Sequence, residues 1–395
     1  MMNYFLSEEE QMIVDTARQI AQEKMKPVRE KYDEEGTFPW DIVKELADAG
    51  LCGSYIPEKY GGFGDGNIMN LVLATEELCK VDGGVALCLA ATALGTLPIL
   101  IGGNEEQKQK YLPRIASGTV AAFGLTEPSA GSDATGMKTV ATKDANGDYI
   151  LNGTKCFITN AGDAEVYTVF AKTNPSRGAR GISAFILEKG MEGFSFGKKE
   201  NKMGIRASST RELIFNNCKV PKENLLGKEG HGLMIAQATL DASRPGVAAQ
   251  ALGIAAGALE EAVAYSRTRV QFGQPISSFQ AIQHMLAEMA TKVEASRALL
   301  YSVARMIDDN NKKDPKDKVR TSKESAMAKL FASETAMQVT TDAVQIFGGY
   351  GYCKEYPVEK MMRDAKITTL YEGTSQIQKN EIALNLIKEQ AKMAK

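Results

Sequence analysis

Apolar positions recur every three to four residues through most of the first 118 positions, the spacing of helices that bury one face. Ile13, Ala17, Ile20 and Ala21 share such a face, and Ser7 with Glu10 three residues later is a capping-box start. Pro27 should end or bend that helix, because its ring removes a backbone donor. Further helices are predicted over about 41–49, 67–81, 84–97 and 104–117, with a glycine-rich loop at 58–66. Near Thr119 the period shortens to two. The runs VAAFGLT, DYILNGTKCFITN, VYTVFAKT, GISAFILEKG and RELIFNNCKV predict strands, and Asn146-Gly147 predicts a hairpin turn. Helical spacing returns at Gly232 and predicts helices over about 233–267, 277–308, 321–346, 357–364 and 375–392. The first of these is dense in Gly and Ala between 246 and 258, so other helices should approach it closely, and Pro245 should kink it. Phe279, Ile282, Leu286, Met289 and Val293 line one face of the next, and the run DDNNKKDPKDKVR at 308–320 reads as a solvated loop. The order predicts an α+β chain: an N-terminal helical domain at 1–118, a middle β domain at 119–231 and a C-terminal four-helix-bundle domain at 232–395.

Composition narrows the function classes. The 47 Lys and Arg against 49 Asp and Glu leave a net charge of −2, with no global pull toward nucleic acid or an anionic membrane. Six scattered cysteines form no C-x-x-C pair, and two histidines, His231 and His284, lie far apart, so no metal site is expected. The start, MMNYFLSEEEQ, lacks a secretory pattern, which predicts a cytoplasmic protein. Residues 83–104 carry no charge and are long enough to span a bilayer, but their Gly, Thr, small Ala and Pro98 predict a buried core helix ending near Pro98. There is no G-x-x-x-x-G-K-[ST] loop and no G-x-G-x-x-G between a strand and a helix, so a cofactor must bind in some other way.

Four segments carry more information: FGLTEPSAGSDATG (123–136), RVQFGQPISSFQAIQ (269–283), QIFGGYGYCKEYPVEKMMRDAKI (345–367) and LYEGTSQIQKN (370–380). With the α–β–α layout they resemble the acyl-CoA dehydrogenase family, in the family's order and over nearly the whole chain. Within the family the look is nearest the short-chain, butyryl-CoA type of anaerobic bacteria. The resemblance implies FAD as cofactor. It also implies removal of an α-proton by a carboxylate as the β-hydride moves to flavin N5, yielding a trans-2-enoyl-CoA. A carboxylate in water is too weak a base for this. Burial must raise its pKa, and donors to the thioester oxygen must stabilise the enolate charge.

By resemblance the base is Glu372, with its own N–H donating to the thioester carbonyl and Gly373 letting backbone approach the substrate. Taken alone, Glu372 reads as an exposed acid at a helix N-terminus. Subfamilies that carry the base on the Gly/Ala-rich helix place it where this chain has Ser243, which leaves Glu372 as the candidate. The implied flavin contacts are Phe123, Leu125, Thr126 and Ser132, then Phe157, Ile158 and Thr159, then Thr374 and Gln376. Arg269, Phe272 and Gln280, with Gln345, Gly348 and Gly349, resemble the part that meets the pyrophosphate and adenosine from a neighbouring subunit. Thr126 and Thr159 read otherwise as plain strand residues, and Arg269 as a surface Arg. Ser132, Asp241 and Arg244 resemble CoA contacts, and the last two read equally as a salt bridge. Where the family often has Trp beside the flavin, this chain has Phe157.

The expected enzyme is a homotetramer that passes electrons to an electron-transferring flavoprotein, with net flux in an anaerobe able to run as enoyl-CoA reduction. C4 acyl chains are expected over C8, with a medium, branched or cyclic acyl-CoA as the alternative substrate. Three alternatives differ. An acyl-CoA oxidase is commonly longer. A glutaryl-CoA type needs a cation near the acyl pocket, and the segment from Val85 to Leu97 has none. A helical interaction protein on the same fold would have no use for Glu372.

Overall fold

A computed structural model describes residues 4–393 except Pro315. The first layer is helical: α1 (Glu8–Ile20), α2 (Arg29–Glu35), α3 (Trp40–Asp48), α4 (Ile68–Val81), α5 (Leu87–Gly102) and α6 (Glu105–Ala116). The capping box at Ser7 and Glu10 forms as expected. The helical run that begins with α1 ends at Lys26, directly before Pro27, as expected. α1 passes into a π turn over Ala21–Met25, and α2 follows, an element that its polar pattern does not predict.

The second layer is an eight-stranded sheet built from β1 (Ala121–Gly124), β2 (Val140–Lys143), β3 (Tyr149–Thr159), β4 (Val166–Lys172), β5 (Ile182–Glu188), β6 (Phe194–Phe196), β7 (Thr210–Val220) and β8 (Leu225–Leu226). The strand order is β6-β7-β3-β2-β4-β5-β8, with β1 added parallel to β4. The expected hairpin forms around Asn146-Gly147, and Lys143 pairs with Tyr149 across it. The third layer holds α7 (Gly232–Thr268), α8 (Gln280–Asn311), α9 (Ser322–Phe347), α10 (Val358–Ile367) and α11 (Ser375–Met393).

Two expectations need correction. The helix in 83–104 does not end near Pro98. α5 continues to Gly102 because Pro98 removes a single backbone donor, while the residues on either side, Leu97 and Ile99, stay buried in the core. The run 308–320 is not solvated throughout. α8 extends to Asn311, and the buried carboxylate of Asp308 accepts from the N–H groups of Ile68 (2.7 Å) and Met69 (3.0 Å). Asp308 thus caps α4, whose own N-cap Asn67 makes no side-chain cap bond.

The long helix α7 is central, as its small residues predict, and it runs through Pro245. It is also the one described helix long and apolar enough to cross a membrane, and most of its apolar stretch is buried inside the fold. A Cβ at Gly257 would lie 2.0 Å from the Lys80 carbonyl oxygen on α4, and one at Gly253 2.4 Å from that of Glu76. Alanine is the better helix former by about 1 kcal/mol. Overpacking against rigid backbone costs about 1–3 kcal/mol, so the clash decides the sign. Gly257→Ala is therefore expected to lower the urea midpoint, and an unchanged or raised midpoint would show that α4 and α7 have slack.

A buried ion cluster ties the three layers together. Lys360 on α10 lies 2.9 Å from Asp82, which follows α4, and 2.5 Å from Asp364. Asp364 also accepts from the N–H of Ile205 in the β layer at 2.5 Å. Ile205 packs with Leu87 and Ala91 of α5 and with Ile367, so the turn that follows α10 is set against both other layers.

Candidate active site

α10 ends in a short turn before α11, and the turn carries Glu372. Glu372 has φ +50° and Gly373 has φ +94°, two successive left-handed residues. Glycine adopts that conformation freely, but a side chain there costs on the order of 1–3 kcal/mol. The surroundings hold the turn in place. The Gln378 amide donates to the carbonyls of Glu372 (3.1 Å) and Gly373 (2.9 Å), and Ser375 N–H donates to Thr369 O (3.0 Å). Tyr371 Oη donates to Gln250 Oε1 on α7, and Gln250 in turn donates to Gly83 O at 3.1 Å.

Ser243 Oγ, on α7, donates to Glu372 Oε2. Burial raises the Glu372 pKa above the usual carboxylate range, and the Ser243 hydrogen bond with the charges of Lys329 and Arg244 pulls it part of the way back. The result is a carboxylate of increased basicity. Arg244, buried beside it, pairs with Asp241 at 3.0 Å, so the salt-bridge reading of that pair is realised. Arg244 Nε keeps no hydrogen-bond partner, which leaves a buried cationic donor free for a ligand. Burial raises the Asp241 pKa, against the Ser322 hydroxyl that donates to it and the Arg244 charge.

A second group sits at one edge of the sheet. Cys156 N–H donates to Thr126 O at 2.9 Å, which sets the segment with Phe123, Leu125 and Thr126 against the one with Phe157 and Thr159. The β3–β7 register slips between Lys155 and Ile158, a bulge that re-aims the chain. Phe157 there has φ +56° and is 66% exposed, whereas Ile158 turns into the core. An exposed aromatic ring flanked by the partly buried residues Thr126 and Thr159 suits a flat, hydrogen-bonding ring system. Ser132 lies in the exposed loop beyond β1.

The pair that holds this edge is not among the residues singled out from the sequence. Glu127 is 3% exposed at its side chain and Lys155 is 0%, and they meet at 2.8 Å. Lys155 Nζ also donates to Leu125 O at 3.1 Å, and Glu127 accepts from the N–H groups of Lys138 (2.5 Å) and Thr139 (3.0 Å). A signal for it exists. Tyr149, Leu151 and Lys155 fall on the same phase of the strand, so a lysine occupies a core-facing position.

The third group is remote from the first. From Arg244 to the end of α7 at Thr268 the helix rises about 36 Å, and Arg269 follows. Arg269, Gly348 and Gly349 line one open cavity of ≈ 480 Å³, with the Arg269 guanidinium 5.1 Å from the Tyr350 ring centre. A guanidinium beside exposed backbone suits a phosphate group. Phe272 is 91% exposed, and Gln280 and Gln345 are exposed near by in sequence. Thr374 and Gln376 stay with the base turn, at the start of α11. The donor set fits FAD: an aromatic, threonine-lined edge for its ring and a cationic cavity for its phosphates.

Comparisons with known proteins identify the family. The family descriptions "Acyl-CoA dehydrogenase, N-terminal domain", "middle domain" and "C-terminal domain" match residues 7–119, 122–218 and 230–387. The chain is 50% identical to the short-chain specific acyl-CoA dehydrogenase of Megasphaera elsdenii, over 95% of this chain and 97% of that one. Its fold superposes on the butyryl-CoA dehydrogenase structure from Megasphaera elsdenii with TM-score 0.93 and 49% identity, covering 98% of this chain and 100% of that one. It superposes equally well (TM-score 0.93, 53% identity, 98% and 99% coverage) on a chain from a study of the electron transferring flavoprotein of Acidaminococcus fermentans and flavin-based electron bifurcation. Three domains matched in chain order, with half-identical relatives over nearly the full length, establish that the protein belongs to the acyl-CoA dehydrogenase family, flavin-dependent oxidoreductases that use FAD.

Proposed function

We propose that the protein dehydrogenates a short-chain acyl-CoA, butyryl-CoA, to the trans-2-enoyl-CoA, with Glu372 as the base. The observation that carries this reading is the Glu372 carboxylate, made more basic by burial and held by Ser243 on a strained turn. Bound FAD supplies the acceptor for the β-hydride. Glu372 removes the α-proton. With Ser243 on Oε2, the other carboxylate oxygen is the one offered to the substrate. The Glu372 N–H donates to the thioester carbonyl and stabilises the enolate charge, and Gly373 allows close approach. Phe123, Leu125, Thr126, Phe157, Ile158 and Thr159 hold the flavin ring through side chain or backbone, with Thr374 and Gln376 beside it. Arg244, Asp241 and Ser132 serve the CoA moiety.

Arg269, Phe272, Gln280, Gln345, Gly348 and Gly349 then belong to the FAD of a second copy. About 36 Å of helix separates them from the base of their own chain. The exposed apolar residues Phe272, Leu384 and Ile387 fit burial between copies, and we read the assembly as a homotetramer. The electron partner in this reading is an electron-transferring flavoprotein. Its choice and the prevailing substrate set whether net flux runs as oxidation or as enoyl-CoA reduction.

The test is an anaerobic titration of the oxidised flavin band with butyryl-CoA, octanoyl-CoA and glutaryl-CoA. Bleaching by butyryl-CoA at the lowest concentration is expected. Bleaching mainly by one of the others would overturn the chain length. No bleaching by any of them would overturn the substrate class.

A further inference from the structure

Helix α9 buries a stripe of small residues that includes Ala326, Ala332, Ser333 and Ala336, and one member of the stripe is a fully buried lysine, Lys329. A buried ammonium is strongly disfavoured unless its donors and its charge are answered. Lys329 Nζ donates to Gly373 O at 2.7 Å, the same carbonyl that the Gln378 amide holds from α11. Donors from two helices thus grip the peptide unit directly after the base, at the point where two successive residues take left-handed backbone conformations.

Among the described residues, polar and charged groups from three helices and the turn itself face Glu372. α7 presents Ser243, which donates to it, and Arg244, already paired with Asp241. The turn itself presents Tyr371, whose hydroxyl is engaged by Gln250. α11 presents the neutral Gln378. α9 presents Lys329, for which Glu372 is the carboxylate that favours its charged form. Burial pushes the Lys329 ammonium down to about 8, so its charge depends on the carboxylate just as the carboxylate depends on it.

Resting on the reading of Glu372 as the base, we propose that Lys329 is a positioning residue for the reaction: its grip on Gly373 fixes the base turn, and its charge keeps Glu372 ionised in a buried site. Neutralising it has two separable consequences. Loss of the charge makes Glu372 harder to ionise. Loss of the donor loosens the turn.

Three FAD-loaded variants separate these effects in single-turnover flavin reduction by butyryl-CoA across pH. Lys329→Gln keeps a donor without charge, and its acid limb is expected to move to higher pH. On the acid side it should be roughly tenfold slower than the native enzyme, and it should approach the native rate at alkaline pH. Lys329→Met should show the same acid-limb shift and, in addition, a lower alkaline plateau. A purely structural lysine would lower stability and leave the acid limb in place, and that result overturns the proposal.

The third variant, Glu372→Gln, gives the reciprocal reading without activity and stands if neither neutral lysine variant takes up FAD. With the carboxylate gone, the buried ammonium loses its counter-charge. The folded-state pKa of Lys329 is depressed further, and stability present at high pH is lost as pH falls toward that depressed value. The Tm of Glu372→Gln relative to the native holoenzyme should therefore fall between about pH 9 and about pH 6. A flat difference overturns the proposal. Near-native flavin reduction by Glu372→Gln would instead remove the base assignment, so the two failures are distinguishable.

Discussion

Replacing Glu372 with Gln leaves an FAD-loaded protein whose flavin is no longer reduced by butyryl-CoA at a useful rate. Gln has nearly the same shape, and its amide oxygen can still accept the Ser243 hydroxyl that now holds Oε2. The turn should keep its form, since Gln378 and Lys329 grip the carbonyls rather than the carboxylate. What disappears is the proton acceptor. General-base catalysis by a positioned group contributes about 10²–10⁴-fold, and a loss of that size is expected. Single-turnover flavin reduction measures it, and FAD content per chain shows that the site survives. Near-native reduction would mean that another group takes the proton. The pH dependence follows from the sign of the shift. Burial raises the Glu372 pKa, the base must be ionised, and the rate therefore falls as pH drops through that raised value, at a higher pH than for an ordinary glutamate.

The second large effect falls on stability. Lys155→Met removes the ammonium from a pair whose carboxylate, Glu127, is itself almost fully buried. Burial pushes Lys155 down to about 8, and the Glu127 charge opposes the fall. Glu127 stays below the usual range: burial acts to raise it, but the Lys155 charge and the backbone donor of Lys138 prevail. Breaking such a pair from one side leaves an uncompensated buried charge and costs about 3–5 kcal/mol. Leu125 O loses a donor as well, so the flavin edge should loosen and FAD should wash out more readily. A urea midpoint and FAD content both report it. The double replacement Lys155→Met with Glu127→Gln should recover part of the midpoint, because no stranded charge remains. An unchanged midpoint in the single variant would sink the argument that this pair holds the edge.

Regular elements with a strong period are legible in the sequence alone. The capping box at Ser7, the hairpin at Asn146-Gly147 and the close-packed helix around Gly253 and Gly257 each rest on local geometry, which a short stretch of chain encodes. The departures share one cause. Pro98 reads as a stop because its local effect is to break a helix, yet burial on both sides carries α5 through it. Asp308 reads as solvated because it sits in a polar run, and its partners lie some 240 residues away at the start of α4. Lys155 and Lys329 escape notice because a charged residue defaults to the surface. Each nevertheless occupies a buried phase of its strand or helix, and that phase is visible in the spacing of its apolar neighbours.

The residues themselves determined the family resemblance, the order of helical and β layers, and the choice of Glu372 over position 243 as the candidate base, because these depend on residue type and on spacing along the chain. Only the tertiary structure decided how basic Glu372 is, since burial strengthens it as a base while Ser243, Arg244 and Lys329, converging from two helices, draw part of that strength back. Only it brought Gly348 and Gly349 beside Arg269 to line one cavity. Desolvation and Coulomb interactions depend on distance through space, and one-dimensional spacing encodes that distance only where the chain is locally regular.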